Sequence, residues 1–195
     1  MEYHRPLQSM EVPVKNVMIA VVVAGLGLTA AAISAQEASD VMLKAGDPAP
    51  PFTLVGSDGK THSLAELKGR PVVVAWFPKA FTQGCTIECK SMREAGDQIR
   101  QYDVAYFAAS VDDAETNKKF AESLELDFPI LSDPKKTVAR AYGVVTPERQ
   151  VAHRWTFYIG PDGKILSVDR DVQVKTAAQE IASTLGELGI RKKSS

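Results

Sequence analysis

The sequence predicts an α/β domain in which helices flank a mixed central sheet. Two observations carry this prediction. Apolar, β-branched runs typical of buried strands alternate along the chain with segments whose apolar residues recur at helical spacings. The last two strands are joined by a hairpin turn and followed by a helix, which adds antiparallel pairing to an otherwise parallel strand-helix order.

The first half of the domain opens with a proline-rich lead-in. FTLV and THSL, on either side of the turn GSDG, predict a short hairpin. PVVVAWF is expected to form a strand that is buried on both faces. CTIECKSMREAGDQIRQY predicts one amphipathic helix from its apolar residues, which are Ile87, Met92, Ala95 and Ile99.

The second half continues the alternation. VAYFAASV and FPILSD predict strands, and DDAETNKKFAESLEL between them predicts a helix with Asp112 or Asp113 as N-cap. DPKKTVARAYGV predicts a third helix, with Asp133 as N-cap, Pro134 in the first helical position and Gly143 as C-cap. RWTFYIGPDGKILSVD predicts a hairpin over a Pro-Asp-Gly turn, and KTAAQEIASTLGELGI a final helix.

This order of elements fits a thioredoxin-like fold. A flavodoxin-like, doubly wound sheet is the alternative, but such a sheet usually ends on a parallel strand-helix unit and not on a hairpin. The predicted folded domain is residues 42–190.

The N-terminal segment has the layout of a secretory signal. Seventeen uncharged, largely apolar residues, 17–33, follow Lys15 and precede the small-residue run SAQ, with cleavage expected after Ala35. The alternative is an uncleaved membrane anchor, because this length is at the lower edge for a spanning helix. Residues 1–35 are therefore predicted to be a signal peptide or an N-terminal anchor.

Export and charge limit the partners of the chain. Translation from Met10 instead of Met1 would give a shorter, more usual leader, and in either case the protein is expected to be periplasmic or extracytoplasmic. The net charge of -1, from 23 basic and 24 acidic residues, gives no surface suited to nucleic acid. Membrane contact is expected only through an uncleaved leader.

The two cysteines of the chain, Cys85 and Cys89, lie in FPKAFTQGCTIECK. Cys85 is expected where a buried strand gives way to a helix, so that free backbone N–H groups and the helix dipole favour a thiolate. Thr82 offers a hydroxyl near the sulfur, and Pro78 can fix the loop. Attack on a peroxide needs a deprotonated sulfur and donors that polarise the O–O bond, and this pattern supplies the first and part of the second.

The loop PKAFTQGCTIE resembles the active-site loop of the peroxiredoxins, the AhpC/TSA family, in which Pro-x-x-x-Thr-x-x-Cys precedes the helix of the peroxidatic cysteine. The loop is most similar to that of the bacterioferritin-comigratory, or Q-type, branch, and the resemblance runs from about residue 45 to residue 186. It implies a thioredoxin-like fold with Cys85 as peroxidatic nucleophile, Thr82 orienting the peroxide and Pro78 protecting the thiolate.

The resemblance also implies partners for the cysteine. Family members carry an arginine before an apolar strand and a D-G-K turn, where Arg154 stands here, and Glu88 matches the family's CTxE and is expected to hold an arginine in place. The implied activity is reduction of hydrogen peroxide and organic hydroperoxides with a thioredoxin-like or small-thiol reductant and without a metal or organic cofactor. The implied state is a monomer or weak homo-oligomer.

Cys89 departs from this pattern. The Q-type branch commonly places its resolving cysteine five residues after the peroxidatic one, whereas Cys89 follows Cys85 at four. On one helix face their Cα atoms would be roughly 6 Å apart with poorly aimed side chains, so a disulfide would require the first turns to unwind. We predict that Cys89 is the resolving cysteine; the alternative is a one-cysteine enzyme resolved by an external thiol.

Two rival functions share the predicted fold. SCO-type copper chaperones are also exported and carry C-x-x-x-C with a distal histidine, so Cys85, Cys89 and His153 could bind copper. Neighbouring strand residues point to opposite faces, however, so His153 is expected to point away from the site that Arg154 faces. An exported thiol-disulfide oxidoreductase needs C-x-x-C, a spacing that this sequence lacks.

Overall fold

The computed structural model describes residues 42–194, together with Met1. The chain divides into two units, Met1–Gln36 and Glu37–Ser195, and every element below lies in the second. Apart from Met1, the predicted leader lies outside the described residues. Within the described part of the chain, no helix is both long enough and apolar enough to cross a membrane.

The described residues form seven strands and five α-helices. The strands are β1 (Thr53–Gly56), β2 (Thr61–Ser63), β3 (Val72–Trp76), β4 (Ala105–Ser110), β5 (Ile130–Ser132), β6 (Trp155–Ile159) and β7 (Ile165–Asp169). The helices are α1 (Gln83–Glu94), α2 (Gly96–Arg100), α3 (Ala114–Ser123), α4 (Thr137–Ala141) and α5 (Ala177–Glu187), and a 3-10 helix spans Leu64–Leu67.

The seven strands form one mixed sheet in the order β2-β1-β5-β4-β3-β6-β7. β3, β4 and β5 are parallel to one another. β6 is antiparallel to both β3 and β7, and β1 is antiparallel to both β2 and β5. The predicted α/β fold with a mixed sheet is therefore confirmed, and the closing hairpin distinguishes it from the doubly wound alternative.

The central strand β3 is buried on both faces, as its unbroken apolar sequence predicts. Because side chains alternate across a strand, Val73 and Ala75 enter one core while Val72, Val74 and Trp76 enter another on the opposite side of the sheet. Residues from α1, α2, α3 and α5 complete the first core, and residues from α4 contribute to the second. Both cysteines lie in the first core.

The helix predicted after β3 is two helices, so its predicted continuity is wrong. Ala95 separates α1 from α2 at φ −104° and ψ 16°. The next residue, Gly96, weakens a helix by about 1 kcal/mol relative to alanine. The side chain of Arg100 folds back over Gly96, where its Nη1 would lie 2.6 Å from an added Cβ. A helix break beside this glycine, at Ala95, is therefore favoured.

The third predicted helix, α4, begins later than expected. Lys136 adopts left-handed backbone angles (φ 58°, ψ 19°), which end the preceding turn, so the helix begins at Thr137. The prediction that Asp133 is the N-cap residue is therefore wrong. Its carboxylate nevertheless accepts hydrogen bonds from the backbone N–H groups of Thr137 (3.2 Å) and Ala139 (2.8 Å).

The C-terminal end of α4 and the N-terminal end of α3 can also be compared with the predictions. Tyr142 is the C-cap of α4, one residue earlier than predicted, and Gly143 follows it at φ 70°. Asp113, and not Asp112, is the N-cap of α3, because its carboxylate accepts a hydrogen bond from Thr116 N at 2.7 Å. The carboxylate of Asp112 makes a different contact, with the cysteine loop.

Candidate active site

Cys85 lies in the first turn of α1, directly after the loop that leaves β3. Strand-like bonding continues to Phe77, whose N–H donates to Ala109 O at 2.9 Å, and residues 78–82 then lead into the helix. Thr82 is the N-cap residue, so Cys85 is the third helical residue. The N–H groups at this end have no helical acceptor and, together with the helix dipole, favour negative charge.

Arg154 is brought to the sulfur by the pairing of β6 with β3. The register places Trp155 opposite Trp76, so Arg154, one residue before β6, lies beside the start of the cysteine loop. Its Nη2 donates a hydrogen bond to Cys85 Sγ over 3.5 Å. A guanidinium in this place can donate both to a sulfur anion and to an oxygen bound beside it.

Gly84 permits this approach of Arg154. A Cβ at position 84 would lie 3.2 Å from Arg154 Nη2, closer than side chains normally come. Gly84 is the second residue of α1. Its absent side chain leaves the space that the guanidinium occupies next to the sulfur.

Glu88, one turn after Cys85, contacts the same guanidinium. Its Oε2 accepts a hydrogen bond from Arg154 Nη1, and its side chain is 2% exposed against 21% for Arg154. Burial raises the pKa of Glu88 to about 7, although Arg154 opposes the rise. Burial alone would lower the pKa of Arg154, but the neighbouring Glu88 and Cys85 raise it. The arginine therefore stays charged between sulfur and carboxyl.

The raised pKa of Glu88 predicts a pH-dependent stability. A carboxyl with a pKa of about 7 in the folded chain, against an ordinary value of 4.5, binds its proton more tightly when folded. Its contribution to the free energy of unfolding is therefore complete below pH 4.5 and decreases as the pH rises to about 7. Glu88→Gln should flatten this dependence in urea denaturation across that window. Parallel pH curves for the two proteins would contradict the assignment.

Thr82 and Pro78 lie in the loop before Cys85. Thr82 is exposed, and its hydroxyl donates to the carbonyl of Lys79 at 2.9 Å. It occupies the N-cap position of α1, but its side chain makes no capping hydrogen bond. Pro78 is half-buried where the loop begins. Their roles in orienting peroxide and protecting the sulfur stay predictions.

Cys89 lies one turn beyond Cys85 and packs in the same core as Met92. It is 1% exposed. Burial is the main cause that raises the pKa of its thiol well above the ordinary 9.0, and the charges of the neighbouring Glu88 and Cys85 raise it further. Both cysteines are free thiols. Cys85, at 0%, is equally buried. As a protonated thiol within the helix, Cys89 can attack a sulfenic acid only after the helix around it opens.

His153 has different surroundings from Arg154. Its ring stacks on Trp155 with centroids 4.9 Å apart, and the guanidinium of Arg170 lies over the same indole at 4.9 Å. The two neighbouring residues thus make separate contacts, as strand alternation predicts.

Sequence reasoning missed a contact between the loop and the neighbouring strand. Asp112 Oδ2 accepts a hydrogen bond from Ala80 N at 2.8 Å. A signal for it was present, because Asp112 follows β4, the parallel neighbour of β3, and loops at the carboxyl ends of parallel strands meet at one edge of a sheet.

Comparison with known proteins agrees with this geometry. Residues 45–168 match the AhpC/TSA family. The chain belongs to this family of peroxiredoxins. Its relatives include peroxiredoxin Bcp of Escherichia coli K12, 34% identical over 151 residues that cover 74% of this chain and 97% of that protein. Peroxiredoxin Bcp of Bacillus subtilis strain 168 is 30% identical over 152 residues, covering 75% and 97%.

A solved structure supports the fold of this peroxiredoxin. Peroxidoxin BcpB from Mycobacterium tuberculosis matches with a TM-score of 0.68 at 30% identity, over 75% of this chain and 98% of that one. The thioredoxin-like fold, the Bcp branch and the class of thiol peroxidase are therefore confirmed. The copper-chaperone alternative finds no support among these relatives.

Proposed function

We propose that this peroxiredoxin uses Cys85 as its peroxidatic nucleophile and reduces hydrogen peroxide and organic hydroperoxides outside the cytoplasm. The observation that carries this assignment is the hydrogen bond from Arg154 Nη2 to Cys85 Sγ at a helix N-terminus. Cys89 makes no comparable contact with a cationic group among the hydrogen bonds of residues 42–194. Of the two sulfurs, Cys85 is the one placed to react.

In the first step the Cys85 thiolate attacks one oxygen of the peroxide. The S–O bond forms as the O–O bond breaks, and the departing oxygen takes a proton to become water or an alcohol. The sulfur is oxidised by two electrons to a sulfenic acid, and the peroxide is reduced by the same two.

The donors around the sulfur favour this step. Arg154 can donate to the peroxide as negative charge develops on the leaving oxygen, and the N–H groups that begin α1 supply further donors. Thr82 would orient the peroxide once its hydroxyl turns from the Lys79 carbonyl, and Pro78 would limit access of water. Glu88 holds the guanidinium in place from the opposite side.

In the second step Cys89 is the proposed resolving cysteine. Its thiolate attacks the Cys85 sulfenic acid, an S–S bond forms and water leaves. Helical geometry aims the side chains of two residues four apart poorly for a relaxed disulfide, although their Cα separation is within range, so the first turns of α1 unwind to bring the sulfurs together. A thioredoxin-like protein or a small thiol then reduces the disulfide by exchange.

Location outside the cytoplasm is supported by the apolar segment at residues 17–33, whether it is cleaved or stays as an anchor. Membrane attachment would then depend on that segment alone. We propose a monomer or weak homo-oligomer.

One titration tests the proposed chemistry. Reduced protein receives one equivalent of hydrogen peroxide, or of an organic hydroperoxide, while free thiols and intact mass are followed. We expect the rapid loss of both thiols and of two hydrogen atoms, the signature of a Cys85–Cys89 disulfide. Cys89→Ser should instead lose its one thiol and gain one oxygen.

Two other outcomes have clear meanings. If the wild-type protein also gains one oxygen and keeps one thiol, Cys89 does not resolve and an external thiol is required. If no thiol reacts faster than free cysteine does, the proposed peroxidase chemistry is wrong.

A further inference from the structure

The loop that carries Thr82 toward Cys85 is tied to the neighbouring strand at one backbone position. Ala80 N donates to Asp112 Oδ2 at 2.8 Å, across 32 residues of sequence. Asp112 lies two residues past the end of β4. The loop is therefore fixed to the edge of the sheet by this carboxylate.

Asp112 is itself held by a buried polar cluster, which consists of Ser110, Asn117 and Ser132. Ser110 Oγ lies 3.0 Å from Asp112 Oδ2 and 3.1 Å from Asn117 Oδ1, so its one hydrogen can serve either acceptor. Asn117 Nδ2 donates to Ser132 Oγ at 2.9 Å. Ser110 and Asn117 have no exposed surface. Such a cluster stabilises one orientation of the carboxylate, because a buried polar group without a partner is costly.

The loop does not follow its intrinsic backbone preference. Phe81 adopts φ 62°, the left-handed region that is unfavourable for a bulky residue. The residue is 58% exposed, and its ring packs against Phe120 of α3 with centroids 5.1 Å apart. Two hydrogen bonds flank the strained residue: Thr82 Oγ1 donates to Lys79 O within the loop, and Ala80 N donates to Asp112 from the residue before Phe81.

We propose that Asp112 is a positioning residue that holds the loop of residues 78–82 in its peroxide-reactive conformation. This inference rests on the proposed reaction at Cys85. Without the Asp112 carboxylate, Ala80 N loses its acceptor and Phe81 can relax toward negative φ, which moves Thr82 and the first N–H groups of α1. The donors for the departing oxygen are then misplaced, while the sulfur becomes easier to reach.

Loss of the Asp112 carboxylate should change the rates at which Cys85 reacts with two reagents in opposite directions. Peroxide reduction needs both the sulfur and correctly placed donors, whereas alkylation by iodoacetamide needs only an accessible thiolate. In a Cys89→Ser background, where Cys85 is the one remaining thiol, Asp112→Ala should slow oxidation by hydrogen peroxide about tenfold, as expected for one lost hydrogen bond in a positioned site. The same substitution should speed alkylation of Cys85.

Two further variants in the same background serve as controls. Asp112→Asn keeps an oxygen acceptor for Ala80 N and should oxidise within about threefold of the parent. Asp113→Ala removes the neighbouring carboxylate, which caps α3 through Thr116 N. It should lower the urea midpoint of unfolding but leave both reaction rates of Cys85 unchanged.

The outcomes separate this inference from the proposed function. If the Cys89→Ser parent does not react with peroxide, the proposed function fails. If the parent reacts and Asp112→Ala matches it, or if Asp112→Ala slows both reagents equally, the positioning role is wrong. If Asp112→Ala fails to fold, the test uses Asp112→Asn instead. A tenfold slower oxidation of Cys85 in Asp112→Asn would contradict a role that depends on a hydrogen-bond acceptor.

Discussion

Replacing Cys85 with serine is expected to abolish peroxide consumption. A serine hydroxyl in the same place is not ionised near neutral pH and is a far weaker nucleophile than a thiolate, so neither the helix N-terminus nor Arg154 can activate it. We expect a loss of at least about a thousandfold in the peroxide-dependent oxidation of reductant. The measurement is consumption of peroxide with excess dithiothreitol.

Cys89→Ser is the matched control for this experiment, because both cysteines are buried in the same core and the substitution is chemically identical. With an external thiol present, Cys89→Ser should keep turning over peroxide. If Cys85→Ser kept its activity, or if only Cys89→Ser lost it, the assignment of Cys85 as the nucleophile would be wrong.

Replacing Arg154 with methionine is expected to slow oxidation of Cys85 by about a hundredfold. The guanidinium is the one side-chain cation that donates to the sulfur among the described residues, and a single lost donor to a developing oxyanion has an effect of this size. The measurement is the second-order rate constant for hydrogen peroxide by stopped flow. Arg154→Lys should recover only part of the rate, because an ammonium cannot contact Cys85 and Glu88 in the same forked geometry.

Arg154→Met also leaves the buried carboxyl of Glu88 without its partner. A loss of protein stability must therefore be separated from a loss of reaction rate at Cys85. The double variant Arg154→Met with Glu88→Gln removes the unpaired carboxyl. It should regain much of the lost stability but none of the lost rate. Recovery of the rate in the double variant would mean that Arg154 acts through stability alone.

Local sequence pattern predicted most of the sheet, because the features that define its strands lie within a few residues. The apolar run of β3 and the Pro-Asp-Gly turn between β6 and β7 are examples. The helix boundaries that differ depend on more than local pattern. Lys136 shortens α4 by adopting a left-handed conformation that the sequence does not favour, and Arg100 packs over Gly96 where α1 and α2 separate.

Some residues of the site could be predicted from the local sequence, and others could not. The spacing in the loop pointed to Cys85 from its own residues, but Arg154, which is 69 residues away, was identified only through the family resemblance. The structure explains its position through the pairing of β6 with β3. The bond between Asp112 and Ala80 was not predicted, although the order of the parallel strands places their two loops at one edge of the sheet.

The rate and product of the first oxidation in Cys89→Ser test most directly whether Cys85 is the activated nucleophile. Reduced protein is mixed with one equivalent of hydrogen peroxide, quenched over time with dimedone, and analysed by mass spectrometry. We expect a dimedone adduct on Cys85 that forms at least about a hundredfold faster than with free cysteine at the same pH. An unmodified Cys85, or a rate equal to that of free cysteine, would contradict this role of Cys85.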